Sequence, residues 1–257
     1  MLKMIIKNRK EQKIVVVVEE GKLNRGLVFV MHGHGGYKEQ SEVQTATHIF
    51  HTAGFSAVLF DTTNSYGESD GKFEDSTFTS AFHDLEDVIV WAKRQAFYRE
   101  PFVLVGHSMG GMCVALYAEQ HVSEVKGLAL LAGTVSGPLS TQLYDKRELE
   151  EWKKIGIREF SSTTRPGLIH RLKWQYIEDR LKYDLLPEAR RLVMPVLQVI
   201  GDQDRFVPAA HQKLLYDLLP GRKELHVISG AGHNFSEPGK TEELRKILAA
   251  WVQNLGN

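Results

Sequence analysis

Phe102-Val103-Leu104-Val105-Gly106-His107-Ser108-Met109-Gly110-Gly111 is the stretch that decides the fold. An apolar β-type run leads through Gly106-His107-Ser108-Met109-Gly110 into a segment of helical character, so Ser108 falls at a sharp strand-to-helix turn. The glycines two residues to either side keep side chains out of a crowded turn. A hydroxyl held there is placed as a nucleophile. A serine hydroxyl near neutral pH also needs a base, a group that holds the base, and donors for the developing oxyanion.

Outward from this turn the chain alternates in the same way. Residues 14–18 and 27–31 are short β-branched or apolar runs separated by the turn-forming stretch 21–26. Residues 57–60, 128–131, 196–200 and 225–228 have the pattern of strands buried on both faces. Helical spacing lies between them: Leu85, Val88, Ile89 and Ala92, then Leu214, Leu215, Leu218 and Leu219, and last Leu244, Ile247, Leu248 and Trp251. This alternation predicts an α/β fold with a mostly parallel central sheet and helices on both faces.

One interval is too long for a crossover. About 60 residues separate the strand ending near Leu131 from the one beginning at Val196. Residues 135–193 are therefore expected to form an inserted cap over the carboxyl ends of the strands, with residues 1–134 and 194–257 as the core of the same domain. Within the insertion, residues 155–161 and 168–172 flank Thr163-Thr164-Arg165-Pro166-Gly167 and read as a hairpin, after which Trp174, Ile177, Leu181 and Leu185 follow helical spacing.

The missing helpers lie after other strands. Gly201-Asp202-Gln203-Asp204 follows the strand at 196–200, and Gly230-Ala231-Gly232-His233-Asn234-Phe235 follows the strand at 225–228. In a parallel sheet both loops share an edge with Ser108. Of eleven histidines only His233 follows the last strand, which makes it the candidate base. Asp204 is the candidate for holding it, with Asp202 as the rival. Met31-His32-Gly33-His34-Gly35-Gly36 follows the strand at 27–31, and a main-chain N–H of this loop, that of His34, would join the N–H of Met109 as oxyanion donors. His32-Gly33-His34 also resembles the start of a zinc site, but no second ligand cluster accompanies it. The spacing fits neither a dinucleotide fingerprint nor a P-loop.

Composition removes other classes. The 257 residues carry 32 Lys plus Arg against 32 Asp plus Glu, a formal charge of +0, so nothing favours a nucleic-acid partner. No run approaches the ~20 apolar residues of a membrane span. The N-terminal residues lack the apolar core of ~7–15 residues of a secretory signal, so a cytoplasmic location is expected. The single Cys113 cannot form an intramolecular disulfide and reads as a small buried apolar residue.

Together these segments resemble the α/β-hydrolase family along nearly the whole chain. His32 to Gly36 is similar to the family's His-Gly-x-Gly-Gly oxyanion loop, Gly67-Glu68-Ser69-Asp70-Gly71 to its loop after the fourth strand, and Gly106 to Gly110 to its nucleophile elbow. The stretches 201–208 and 230–235 resemble its acid and histidine loops. The resemblance implies catalytic Ser108, Asp204 and His233, oxyanion donors at His34 and Met109, and no cofactor or metal. Asp61-Thr62-Thr63-Asn64-Ser65-Tyr66 departs from the Arg- or Asn-Gly common there, which leaves the rim of the site open but not the triad. Residues 69–74 and the hairpin are also similar to cinnamoyl and feruloyl esterases and to monoacylglycerol-lipase-like enzymes.

The expected activity is that of a serine carboxylesterase cleaving small acyl or aryl esters through an acyl-enzyme intermediate, with Trp152, Phe160, Trp174 and Tyr176 as candidate pocket walls. Thioester or peptide cleavage by the same triad, a ligand-binding protein without turnover, and a metal-dependent hydrolase using His32 and His34 are the alternatives.

Overall fold

A computed structural model describes residues 1–161 and 167–255. The strands are β1 (Leu2–Lys7), β2 (Lys13–Glu19), β3 (Leu27–Met31), β4 (Ser56–Phe60), β5 (Phe102–His107), β6 (Val125–Leu131), β7 (Ile157–Ser161), β8 (Ile169–Lys173), β9 (Val196–Gly201) and β10 (Lys223–Ile228). The helices are α1 (Ser41–Thr52), α2 (Phe78–Ala92), α3 (Met109–Gln120), α4 (Gly137–Thr141), α5 (Lys146–Ile155), α6 (Gln175–Arg180), α7 (Ala209–Leu218) and α8 (Lys240–Asn254). Eight strands form one sheet in the order β1-β2-β4-β3-β5-β6-β9-β10. β1 and β2 pair antiparallel, as do β2 and β4, and every pairing from β4 to β10 is parallel.

The period of two in the central strands splits the core into two layers. Leu27, Phe29 and Met31 of β3 face one side with Phe102 and Leu104 of β5, packed under α2 and α3 through Leu85, Ile89 and Met112. Val28, Val30, Val103 and Val105 face the other, packed on α1 and α8 through Phe50, Leu248 and Trp251. Strands covered on both faces have no polar face to show in sequence, and β3, β4, β5 and β9 are buried at every position.

The edges depart from the sequence pattern. β10 borders only β9, and its Val227 is 51% exposed, so this strand is not buried on both faces as its apolar run suggests. β1, at the other edge, buries only Ile6 although Leu2, Met4 and Ile5 are also apolar, and it lies outside the runs read as strands from the sequence.

β6 and β9 are neighbours in the sheet, so residues 135–193 leave and re-enter between adjacent strands. This segment holds α4, α5, the antiparallel β7–β8 pair and α6. The residues flanking 162–166 pair as the hairpin reading expects, Ser161 opposite Ile169, while the turn itself lies outside the described residues. The helix expected over Trp174 to Leu185 is shorter: α6 ends at Arg180, and Leu181 is 46% exposed. Among the described residues no helix is long and apolar enough to cross a membrane.

Candidate active site

Ser108 takes φ 52° and ψ −118°, a conformation that L-residues rarely adopt, between β5 and α3. Its N–H donates to the Leu131 carbonyl at 3.0 Å, and its own carbonyl accepts from Thr134 N–H at 2.9 Å, so the end of β6 and the loop that follows it hold both peptide groups of the turn. The flanking glycines have a steric reason. A Cβ at Gly106 would collide with the Gly110 carbonyl, and one at Gly110 with the carbonyls of Met31 and His32. The head of α3 can therefore sit directly against the end of β3.

Asp204 and His233 are brought together from the loops after β9 and β10. His233 Nδ1–H donates to Asp204 Oδ2 at 2.8 Å, and the other oxygen, Oδ1, accepts from the N–H groups of Phe206 at 2.8 Å and Val207 at 3.0 Å. A carboxylate only accepts, so this bond sets the neutral tautomer and leaves the Nε2 lone pair of His233 available. Asp202 does something else: its carboxylate accepts from Gly230 N–H at 2.7 Å and Ser229 Oγ at 3.1 Å, tying the β9 loop to the β10 loop. The Gly230 N–H holds the Asp202 carboxyl below its ordinary range.

His107 contributes a contact that no sequence pattern marks. Its Nε2–H donates to the His233 carbonyl at 3.0 Å, and the two rings lie 4.8 Å apart. Burial pushes the His107 pKa down, which keeps the ring neutral; its Nδ1 lies 3.4 Å from Glu42 Oε1. The main chain of the His233 loop is thus fastened beside the Ser108 turn.

The loop after β3 is held by its histidines. His32 Nδ1–H donates to the Gly33 carbonyl at 2.7 Å while Nε2 accepts from Thr62 N–H at 3.0 Å. Both ring nitrogens are spent, so His32 has no lone pair to offer a metal in this arrangement. Lys38 Nζ bonds Asp61 Oδ2 at 2.7 Å and Glu68 Oε2 at 2.6 Å, anchoring the same loop to the Asp61 stretch. The His34 N–H donates to no main-chain carbonyl among the described residues, and the N–H of Met109, first residue of α3, has no intrahelical acceptor.

A cavity of about 430 Å³ opens over these groups, lined by Gly33, His34, Ser108, Met109 and His233. Trp152, Phe160 and Tyr176 line it from residues 135–193, whereas Trp174 does not. The Trp174 ring packs edge-on against Trp152 with centroids 5.9 Å apart, and its Nε1–H donates to Glu178 at 3.1 Å. Sequence reading missed the wall formed by Tyr66, Phe73 and His170, in which the Tyr66 hydroxyl bonds His170 Nδ1 and stacks on Phe73. Tyr66 and Phe73 are near neighbours in the chain, but His170 lies far from both and meets them where β8 packs on the Phe73 turn. No hydrogen bond joins Ser108 Oγ to His233 among the described residues.

A family model for the alpha/beta hydrolase fold matches residues 26–156. An uncharacterized 31.7 kDa protein of the traX-finO intergenic region of Escherichia coli is 29% identical over 268 residues, covering 92% of this chain and 93% of its own. Among solved structures, Est1E from Butyrivibrio proteoclasticus with ferulic acid bound superposes with a TM-score of 0.82 at 22% identity, covering 98% of both chains. A monoacylglycerol lipase from Paleococcus ferrophilus gives 0.75 at 21% identity, covering 94% of this chain and 99% of its own. The family match spans half of the chain, from β3 through the Ser108 turn, and the chain belongs to the alpha/beta hydrolase fold family.

Proposed function

We propose that this protein is a serine hydrolase acting on ester bonds, with Ser108, His233 and Asp204 as its catalytic residues. The observation that carries the reading is the strained Ser108 turn opening into the same cavity as a histidine whose Nδ1 is held by a buried carboxylate. His233 Nε2 takes the Ser108 proton as Oγ attacks the substrate carbonyl, and the N–H groups of His34 and Met109 receive the oxyanion. Asp204 orients the imidazole and stabilises the cation formed. Collapse of the tetrahedral intermediate breaks the ester bond, with the proton passing from His233 to the departing alcohol. Water, deprotonated by His233, then releases the acid and restores the serine.

For this to run, Ser108 Oγ must come within hydrogen-bond reach of Nε2, a contact that in many hydrolases tightens only with substrate in place. Residues 135–193 act in this reading as a cap that shapes the acyl or alcohol pocket through Trp152, Phe160 and Tyr176. The ester preference draws on the likeness in fold to Est1E and the monoacylglycerol lipase.

A fluorophosphonate probe should label the protein, and Ser108→Ala should abolish both labelling and hydrolysis of short p-nitrophenyl esters. Labelling that survives Ser108→Ala overturns the nucleophile assignment. Turnover of aminoacyl anilides but not esters moves the reaction to amide bonds.

A further inference from the structure

The cavity wall is electrically one-sided. Among the described residues Arg158, Arg180 and Arg205 line it, and no Asp or Glu does, although the whole chain has a formal charge of +0. Arg158 has a partner in Glu148 at 3.1 Å, and Arg205 is exposed to water. Arg180 has neither.

Arg180, the last residue of α6, is 7% exposed. A guanidinium does not give up its proton in a protein, so burial here puts a permanent charge in the wall. Buried charges are ordinarily paired. The adjacent Asp179 is already taken by Thr79 N–H at 2.8 Å, Thr79 Oγ1 at 2.6 Å and Lys182 at 3.2 Å. No carboxylate comes within the 4.0 Å of an ion pair with Arg180 among the described residues. What Arg180 does have is weak: Nη1 donates to the Tyr144 hydroxyl at 3.5 Å, and the guanidinium lies 5.6 Å from the Tyr144 ring centre and 5.9 Å from that of Tyr176. Its Nε has no hydrogen-bond partner among the described residues.

A second unsatisfied group lines the same cavity. Ser140 on α4 is 1% exposed, and its Oγ is also without a partner among the described residues. Leaving a buried donor unpaired is costly, and the same groups become strong anchors when an anion fills the gap. The unneutralised charge is felt nearby: after loss of water around the ring, Arg180 is the next cause holding the His34 pKa down, to about 3.

We propose that the site takes esters bearing a second, anionic group, a carboxylate or phosphate, which Arg180 binds with the help of Ser140 while the ester carbonyl lies at Ser108. The inference rests on the serine-hydrolase reading for its reaction but not for its anion site. Arg180 is here a specificity-determining residue. Arg158, Arg180 and Arg205, with no carboxylate among the described lining residues, favour anionic over neutral ligands and repel cationic ones.

The test pairs rigid or extended substrates that differ only in the charged group. The methyl half-esters of adipic and terephthalic acid are compared with their primary-amide analogues, and methyl 4-phosphonobenzoate separates phosphate-like from carboxylate preference. We expect kcat/KM to favour the anionic member by ~10- to 100-fold, and Arg180→Met to remove that preference while changing the amide analogues by about threefold or less. Arg180→Lys keeps the charge without the planar fork and should recover part of the preference. Equal turnover of anionic and amide substrates by the unaltered protein, or an Arg180→Met loss shared equally by both, overturns the proposal.

A readout free of catalysis separates this from the nucleophile assignment. Adipate, but not adipamide, should raise the melting temperature of the protein and of Ser108→Ala, and should not do so in Arg180→Met. No shift with adipate or terephthalate in the unaltered protein refutes the anion site even if Ser108 is labelled. A shift in a protein whose labelling survives Ser108→Ala would leave the anion site standing and remove the catalytic reading.

Discussion

Replacing Ser108 by glycine rather than by alanine separates what the turn costs from what the hydroxyl does. Both substitutions delete Oγ, but alanine keeps the Cβ that makes φ 52°, ψ −118° unfavourable, and glycine does not. Holding a non-glycine residue in such a region costs ~1–3 kcal/mol. Glycine also gives the unfolded chain more freedom, which takes back ~0.4–1 kcal/mol. Ser108→Gly should therefore be more stable than Ser108→Ala by ~1–2 kcal/mol. An unfolding entropy of ~2.1 cal/mol/K per residue over 257 residues is ~0.5 kcal/mol/K, so the melting temperature should rise by ~2–4 °C. Scanning calorimetry of the two variants side by side measures this, and neither variant should react with fluorophosphonate. A Ser108→Gly protein that melts at or below Ser108→Ala would refute the idea that strain is stored at the turn.

Asp204→Asn leaves the N–H donors of Phe206 and Val207 in place but lets the amide favour the wrong tautomer of His233; kcat should fall by ~10³–10⁴ with KM nearly unchanged, and a loss under tenfold would show that Asp204 does not hold the base. Glu119, buried on α3 with Oε1 unpaired among the described residues, has its pKa pushed up to about 8 by loss of water and by Glu188. Because the folded state binds this proton more tightly than the unfolded chain, the stabilisation is full below about pH 4.5 and is lost as pH rises toward about 8, on the order of 3–5 kcal/mol in all. Glu119→Gln should match the unaltered protein in urea melts near pH 5 and exceed it near pH 9; parallel pH profiles for the two would sink this account.

Much of the architecture was legible because its signals are local. The runs that became β3, β5 and β9 are apolar at nearly every position since both faces of the sheet are covered, and the chemistry-bearing loops begin where those runs end. Loop spacing alone could not separate Asp202 from Asp204, two acids of one short loop; the distinction lies in which oxygen meets His233 and which meets Gly230. α1 was obscured by its buried Glu42 and Thr47, polar residues on an otherwise apolar stripe. Arg180 was invisible for a related reason. In the run Glu178-Asp179-Arg180 a cation reads as solvent-facing, and only the packing of α6 against α2 and α4 encloses it. Trp174 failed in the opposite direction, since an aromatic side chain does not reveal whether it walls a cavity or supports the residue that does.

The adjacency of β6 and β9 has an evolutionary consequence. Leu128 pairs with Val196 although 67 positions separate them in sequence, so the long excursion between is anchored at two neighbouring points of one ladder. Such a segment can be shortened, lengthened or exchanged without shifting the register that holds Ser108, Asp204 and His233 at one edge. Selection can then try new walls around an unchanged Ser108–Asp204–His233 cluster, and a charge such as that of Arg180 can be introduced or withdrawn by altering the interchangeable part alone.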